Sequence, residues 1–404
     1  EPLVVQSWLA SLVYGLVDRV AGFGGLRLLM AATAAVLAYA AWRLTEKAPS
    51  LTVRVVVMIP TLYVGLRTWT ERPLLIALVF FAMTLLVSDG VGRTRWLVVV
   101  GALWVNVHGS WPLGLVLLAT RWAGARLDGH HDSRSAEAVR RLGAGMLVGG
   151  IVNPYGPRML LFPLGLLGRR DSLSRVAEWR SPDFQVGWAQ AFLVLVLLAI
   201  VAAARGCRWR SLMPMLVFVA AALMSRRNIP VAVLVLLPVA ATGLPRLLTL
   251  DGARTSPAVR TAIGAMAMLL LVVPLAAMRG PHTDLARYPV AAVGAMDAAG
   301  LSPASVHVVH QDFVGNYLDL RYRRPVAWID DRFELHPTSL VDDYVILLEA
   351  GSGWREVLDR WDADALLWPT EAALTELVTE VAGWRIVHQA DGWTVACRPG
   401  RGSC

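Results

Sequence analysis

Ten aliphatic stretches, each ended by arginine, proline or a polar cluster, constrain this chain more than any other feature. They cover residues 25–44, 53–67, 73–88, 96–107, 111–124, 142–152, 188–205, 211–224, 229–245 and 259–278. A perpendicular membrane crossing needs ~20 residues, and several of these runs are shorter. They cross only if polar-looking flanks join the helix, or if a bundle shelters irregular backbone from lipid. Composition agrees: 56% of the 404 residues are hydrophobic and 17% charged, against about 45–50% and about 25% in soluble domains. The expected fold is a polytopic α-helical membrane protein of about ten spans with a C-terminal α/β domain. This excludes disorder, a nucleic-acid partner as the main business, and an ordinary cytosolic enzyme.

Charge marks the domain boundary. Residues 281–404 carry 18 acidic and 10 basic side chains, whereas residues 1–280 carry 12 acidic and 28 basic ones. The basic balance therefore belongs to membrane topology rather than to a nucleic-acid surface. Residues 1–24 read as an interfacial amphipathic helix and outer loop, with Trp8, Leu9, Leu12, Val13 and Leu16 on one face. Residues 25–280 form the transmembrane domain and 281–404 the soluble one. Alternate connections hold Arg43, Lys47 and Arg54; Arg93 and Arg95; Arg121 through Arg141; Arg205 through Arg210; and Arg246 through Arg260. By the positive-inside rule these are cytoplasmic, which places His108, the Arg158–Arg180 connection, Arg226, Arg227 and the tail on the outer side of a plasma membrane.

Within the tail the pattern predicts helix over 288–299, strand 306–310, helix 316–322, strand 326–330, helices 341–350 and 354–362, and strand 365–369. Thr370 is expected to cap a helix to Ala382, and Asp391-Gly392 to turn a hairpin between strands 384–390 and 393–398. Cys397 and Cys404 lie close enough to pair in an oxidising compartment, or stand as two free thiols.

Polar clusters that interrupt apolar sequence are the candidate site residues. Asn106, His108 and Trp111 in WVNVHGSW either line an outward cavity, orienting substrate or shuttling a proton, or form a tight interfacial turn. Asn153 and Tyr155 in NPYG read first as loop punctuation and second as substrate contacts. Glu178 and Asp183 are outer-side carboxylates, suited to a general base or to a divalent metal ion, and equally to surface solvation. Arg226, Arg227 and Asn228 match a lipid phosphate or snorkel to the headgroups. In the tail, Asp330, Asp331 and Arg332 follow an expected strand, where α/β sheets place ligands and where Asp also caps helices. No HExxH, CxxC, GxSxG or Gly-rich phosphate loop is present.

The order of SWLASLVYGLVDRVAGFGGLRLL, the Arg67–Pro73 turn, WVNVHGSWPLGL, NPYG, AEWRSPDF and RRNIP resembles a large group of bacterial multi-pass proteins of the GT-C glycosyltransferase type. The tail segments QDFVGNYLDLRYRRPVAWIDDRFELHP and WREVLDRWDADALLWP are similar to the soluble part of that group. The resemblance implies a GT-C-like bundle in the bacterial plasma membrane, using a polyprenyl-phosphate sugar and a cell-envelope acceptor on the outer face. It also implies a catalytic acid in a first outer loop. That loop would lie upstream of Glu1, so the chain reads as the remainder of something longer. Asp18 follows the motif and is not assigned that role. The alternative is a non-enzymatic envelope-assembly or lipid-handling membrane protein whose C-terminal domain docks a protein partner.

Overall fold

The computed structural model describes residues 4–48, 50–167, 179–204, 206–243, 285–400 and 404. These fall into two compact units, one holding the described residues up to 243 and the other those from 285 onward. The expected run at 259–278 and the arginine connection at 246–260 lie outside the described residues.

In the first unit the apolar runs are helices: α1 Trp8–Leu44, α2 Leu51–Thr68, α3 Pro73–Ser88, α4 Trp96–Val107, α5 Pro112–Leu127, α6 Ser133–Ile151, α7 Arg158–Leu167, α8 Gly187–Ala203, α9 Trp209–Met224 and α10 Ile229–Gly243. Helices α1 and α2 are long and apolar enough to cross a membrane, while α3, α4, α8 and α9 are apolar but shorter. Aliphatic side chains also stay on the surface, Leu197 and Ile200 of α8 being about half exposed at 52% and 48%. A surface apolar along whole helices is what lipid-facing packing leaves.

Three features differ from the sequence reading. Helix α1 runs through the expected boundary at residue 24 and bends at Gly22, whose φ of 58° only glycine adopts without strain. Its first turn docks on the bundle through Gln6 and Trp8, while Leu12, Leu16 and Val20 remain exposed. Helix α6 begins nine residues before its apolar run, because Asp132 accepts the Ser135 N–H as a cap at 2.9 Å. Part of the supposed outer connection, from Arg158, is the helix α7.

Close approach of α4 and α6 sets the geometry of the site. A Cβ on Gly145 would collide with the Val98 carbonyl, and one on Gly149 with that of Ala102. Small residues four apart let two helix backbones meet in this way. At one end of the bundle, Asp89 pairs with Arg121 and lies 3.2 Å from Arg210, which also holds Asp132 at 2.7 Å. The opposite end carries His108, Asn153, Asp183 and Arg226–Asn228, since α4 and α9 run from the arginine-rich end towards it.

The second unit contains α11 Val290–Ala298, β1 Val308–His310, α12 Asp312–Tyr322, α13 Thr338–Leu348, α14 Trp354–Arg360, β2 Ala365–Pro369, α15 Ala373–Glu376, β3 Arg385–Ala390 and β4 Trp393–Cys397. The sheet order is β1-β2-β4-β3, with β1 parallel to β2 and the remaining pairs antiparallel. Val308, Val314, Leu318, Leu367 and Val395 build its core. Asp391 and Gly392, at φ 53° and 77°, make the two-residue hairpin turn. Cys397 and Cys404 are joined as a disulfide.

Two tail expectations fail. Residues 326–330 are not a strand. Val326 and Ala327 donate to the Asp319 carboxylate at 2.8 and 2.9 Å, and Trp328 donates to His310 Nε2 at 2.9 Å. Side chains supply the acceptors that a neighbouring strand would otherwise provide. Thr370 caps no helix either. Its N–H reaches the Gly392 carbonyl and its hydroxyl meets that of Thr394 at 3.0 Å, so it extends the sheet.

Candidate functional site

The end of the bundle bearing WVNVHGSW is assembled from α1, α4, α6 and the α9–α10 junction. Asn106, in the last turn of α4, is 5% exposed. Its amide donates to the Ala102 and Gly149 carbonyls at 2.8 and 3.0 Å, and its Oδ1 accepts the Trp8 indole N–H at 2.8 Å. Asn106 therefore staples three helices, and the α4–α6 glycine contact is what brings the Gly149 carbonyl within reach. Gln6 accepts the Gly109 N–H at 2.8 Å, and Trp104 donates to Ser110 Oγ at 3.2 Å.

His108 ends α4 with an extended backbone and is buried. Its Nδ1 accepts the Ser110 N–H at 3.1 Å, which leaves the ring proton of a neutral imidazole on Nε2. Arg227 lies close enough to His108 to act on it electrostatically. The Arg227 guanidinium sits over the Trp179 ring, 5.0 Å from its centroid. Arg226 donates its N–H to the Arg180 carbonyl at 2.9 Å, and Asn228 Nδ2 donates to the Ala221 carbonyl at 3.0 Å. Neither Arg226 nor Arg227 pairs with a carboxylate among the described residues. Both are half-buried in a 3₁₀ turn leading directly into the N-terminus of α10. A helix N-terminus adds a partial positive charge at that point.

The structure uses other expected residues differently. Asn153 spends its amide on the Gly149, Gly150 and Gly156 carbonyls at 3.1, 2.8 and 3.2 Å, and its Oδ1 on the Tyr155 N–H at 2.8 Å. It is the loop punctuation its Asn-Pro context suggested. Trp111 and Tyr155 pack partly buried against the core. Asp183 is exposed and accepts the Gln185 N–H at 2.8 Å, as a turn former does. Glu178 lies outside the described residues. Among the described residues no three His, Cys, Asp or Glu side chains gather to hold a metal ion, so the donor set for the expected divalent metal is not assembled there.

Asp330, Asp331 and Arg332 belong to the second unit and form a cluster of their own. Asp330, 4% exposed, accepts the Arg332 N–H and Nε at 2.9 Å each and His336 Nε2 at 3.0 Å. Burial alone would raise its carboxyl, but the hydrogen bonds from His336 and Arg332 prevail and hold it well below the usual carboxylate range. Asp331 and Arg332 are exposed. The carboxylate expected to meet a ligand instead organises the 326–336 loop.

Three contributors were not assigned from sequence as site residues: Gln6, Trp8 and Trp179. The one available signal was Trp8, placed on a helix face for its apolar ring rather than for its N–H. No protein-family model and no curated protein matches the chain.

Proposed function

We propose that the helical unit is a GT-C-type membrane glycosyltransferase, moving a sugar from a polyprenyl-phosphate donor to a cell-envelope acceptor on the outer face. The observation that carries this reading is the Arg226–Arg227 pair: two half-buried guanidiniums without a carboxylate partner among the described residues, one laid on Trp179 and close to His108. Guanidinium forks match phosphate oxygens two at a time, and stacking on an aromatic ring fixes the fork before the ligand arrives. In the proposed reaction the acceptor hydroxyl oxygen attacks the anomeric carbon and passes its proton to a carboxylate, drawn from Glu178 or Asp183. The bond from that carbon to the phosphate oxygen breaks, and its electron pair leaves with the lipid phosphate, where Arg226 and Arg227 meet the new charge.

The same reading has about ten spans crossing a bacterial plasma membrane, with the second unit extracytoplasmic. The exposed aliphatic faces support the membrane part, and the Cys397–Cys404 disulfide supports an oxidising side for the tail. One observation favours the second reading, a non-enzymatic lipid-handling protein: Asn106, Asn153 and Asp183 all spend polar atoms on local hydrogen bonds.

Membrane vesicles carrying the full chain, supplied with a radiolabelled polyprenyl-phosphate sugar, separate the two. The enzyme reading expects label in acceptor and its loss by about 10²-fold in Arg227→Ala, with expression and folding retained. Labelled lipid that is retained but never transferred, with Arg227→Ala abolishing retention, would favour lipid handling.

A further inference from the structure

A charged cavity lies at the other end of the helical unit, away from His108 and Arg227. It has a volume of about 400 Å³ and opens between the C-terminal ends of α1, α3 and α10, the body of α5 and the first turn of α9. Four basic side chains, Arg43, Lys47, Arg121 and Arg210, line it against two carboxylates, Glu46 and Asp89. The remaining wall is mostly aliphatic.

The internal pairing does not use up these cations. Arg121 is 3% exposed and pairs with Asp89, yet its Nε has no hydrogen-bond partner among the described residues. A buried donor left unmade is costly, on the order of 1–3 kcal/mol. Arg210 spans Asp89, Asp132 and the Ser88 carbonyl, and Arg43 holds Glu46 at 3.1 Å. Lys47 is exposed and pairs with no carboxylate among the described residues. A deep orphan donor and a free ammonium at the rim both call for an acceptor that carries negative charge.

We infer that this cavity binds the phosphate of an anionic membrane lipid. The inference rests on the membrane-spanning part of the proposed function and not on sugar transfer. Once the helices span a bilayer, the arginine-rich connections place this end at the cytoplasmic headgroups. Basic pockets between spans on that side take acidic headgroups. The phosphate oxygens enter among Lys47, Arg43 and Arg121, and the acyl chains lie along the exposed aliphatic helix faces. Arg210 and Asp89 act as positioning residues that hold Arg121 in place.

Native mass spectrometry of the full chain released from uncharged detergent tests this, with phosphatidylglycerol, phosphatidylcholine of the same chain length, and inorganic phosphate as probes. Phosphatidylglycerol should bind about ten-fold tighter than phosphatidylcholine, and Lys47→Glu should remove that preference. Because Lys47 is exposed, this variant keeps the fold; an unchanged thermal midpoint verifies that. Arg43→Gln should weaken the same lipid by a smaller factor. Equal binding of the two lipids, or a preference that survives Lys47→Glu, overturns the inference. Inorganic phosphate that binds alone and displaces phosphatidylglycerol at equal concentration overturns the lipid source and leaves a soluble phosphate as the ligand. Sugar transfer plays no part in these readouts, so a failure here is distinct from a failure of the glycosyltransferase reading.

Discussion

Asn106 and Arg227 represent two uses of a polar side chain at the same end of a helix bundle. Asn106 closes three hydrogen bonds among α1, α4 and α6, so Asn106→Ala leaves the Trp8 indole N–H unmet and removes one of the two side-chain donors to the Gly149 carbonyl. Thermal unfolding in detergent should show a loss of about 1–3 kcal/mol, and binding of phosphate-bearing lipid should fall only in proportion to unfolding. Arg227 makes no such hydrogen bond among the described residues, so Arg227→Ala should leave the melting midpoint unchanged and abolish lipid-phosphate binding. Arg227→Lys should recover part of that binding, because it returns the charge without the bidentate fork. A melting midpoint that drops with Arg227→Ala would make this residue a structural one.

At the scale of elements, two contacts decide the architecture. Gly145 and Gly149 let α6 lie directly on the α4 backbone, and a larger side chain has only backbone carbonyls to push against. Gly149→Val should therefore cost more than Asn106→Ala, about 3 kcal/mol or above, read as a lower melting midpoint and as exposure of position 106 to alkylation in an Asn106→Cys background. In the second unit, the 326–330 segment depends on His310. Burial pushes that imidazole down to about 4 from an ordinary 6.5, and its Nε2 must stay unprotonated to accept the Trp328 N–H. The unfolded chain therefore takes up the proton first as pH falls below about 6.5, and the unit loses stability from there down to about 4, on the order of 3 kcal/mol. Asp330, held below the usual carboxylate range, contributes stability that is present above about 4 and lost as pH falls further. Hydrogen-exchange protection at 326–330 should drop across the upper window, and His310→Gln should flatten that drop. A pH-independent protection factor would contradict it.

For the molecule as a whole, the alternation of arginine-rich and arginine-poor connections makes a topological prediction. With Cys207→Ser as background, single cysteines at positions 108 and 227 should react with an impermeant maleimide from the same side of intact cells after mild permeabilisation of the wall. A cysteine at position 47 should react only once the membrane is opened. Labelling of 108 and 227 from opposite sides would break the shared outer-face site that the proposed function requires. The Cys397–Cys404 disulfide should in turn protect both tail thiols from alkylation until a reductant is added, which intact mass of the alkylated chain would report.

Apolar runs located most helices of the first unit, though not α7 or the start of α6. The apolar runs at 73–88 and 96–107 coincide with α3 and α4, and Asp391-Gly392 announced its hairpin, because burial and left-handed backbone are local demands that a residue type must meet where it stands. The alternation of charge among the connections was legible for the same reason. The partners of the polar groups were not. Asn106 and Asp330 read in sequence as ligand contacts or as turn and cap residues, and their acceptors and donors come in part from Gly149 and His336. The strand expected at 326–330 failed because side chains from elsewhere satisfied its backbone. Where a hydrogen bond ends depends on which backbones pack close together, and only the folded chain settles that: two glycines on α6 let the Gly149 carbonyl reach Asn106, and the fold laid Arg227 over the Trp179 ring.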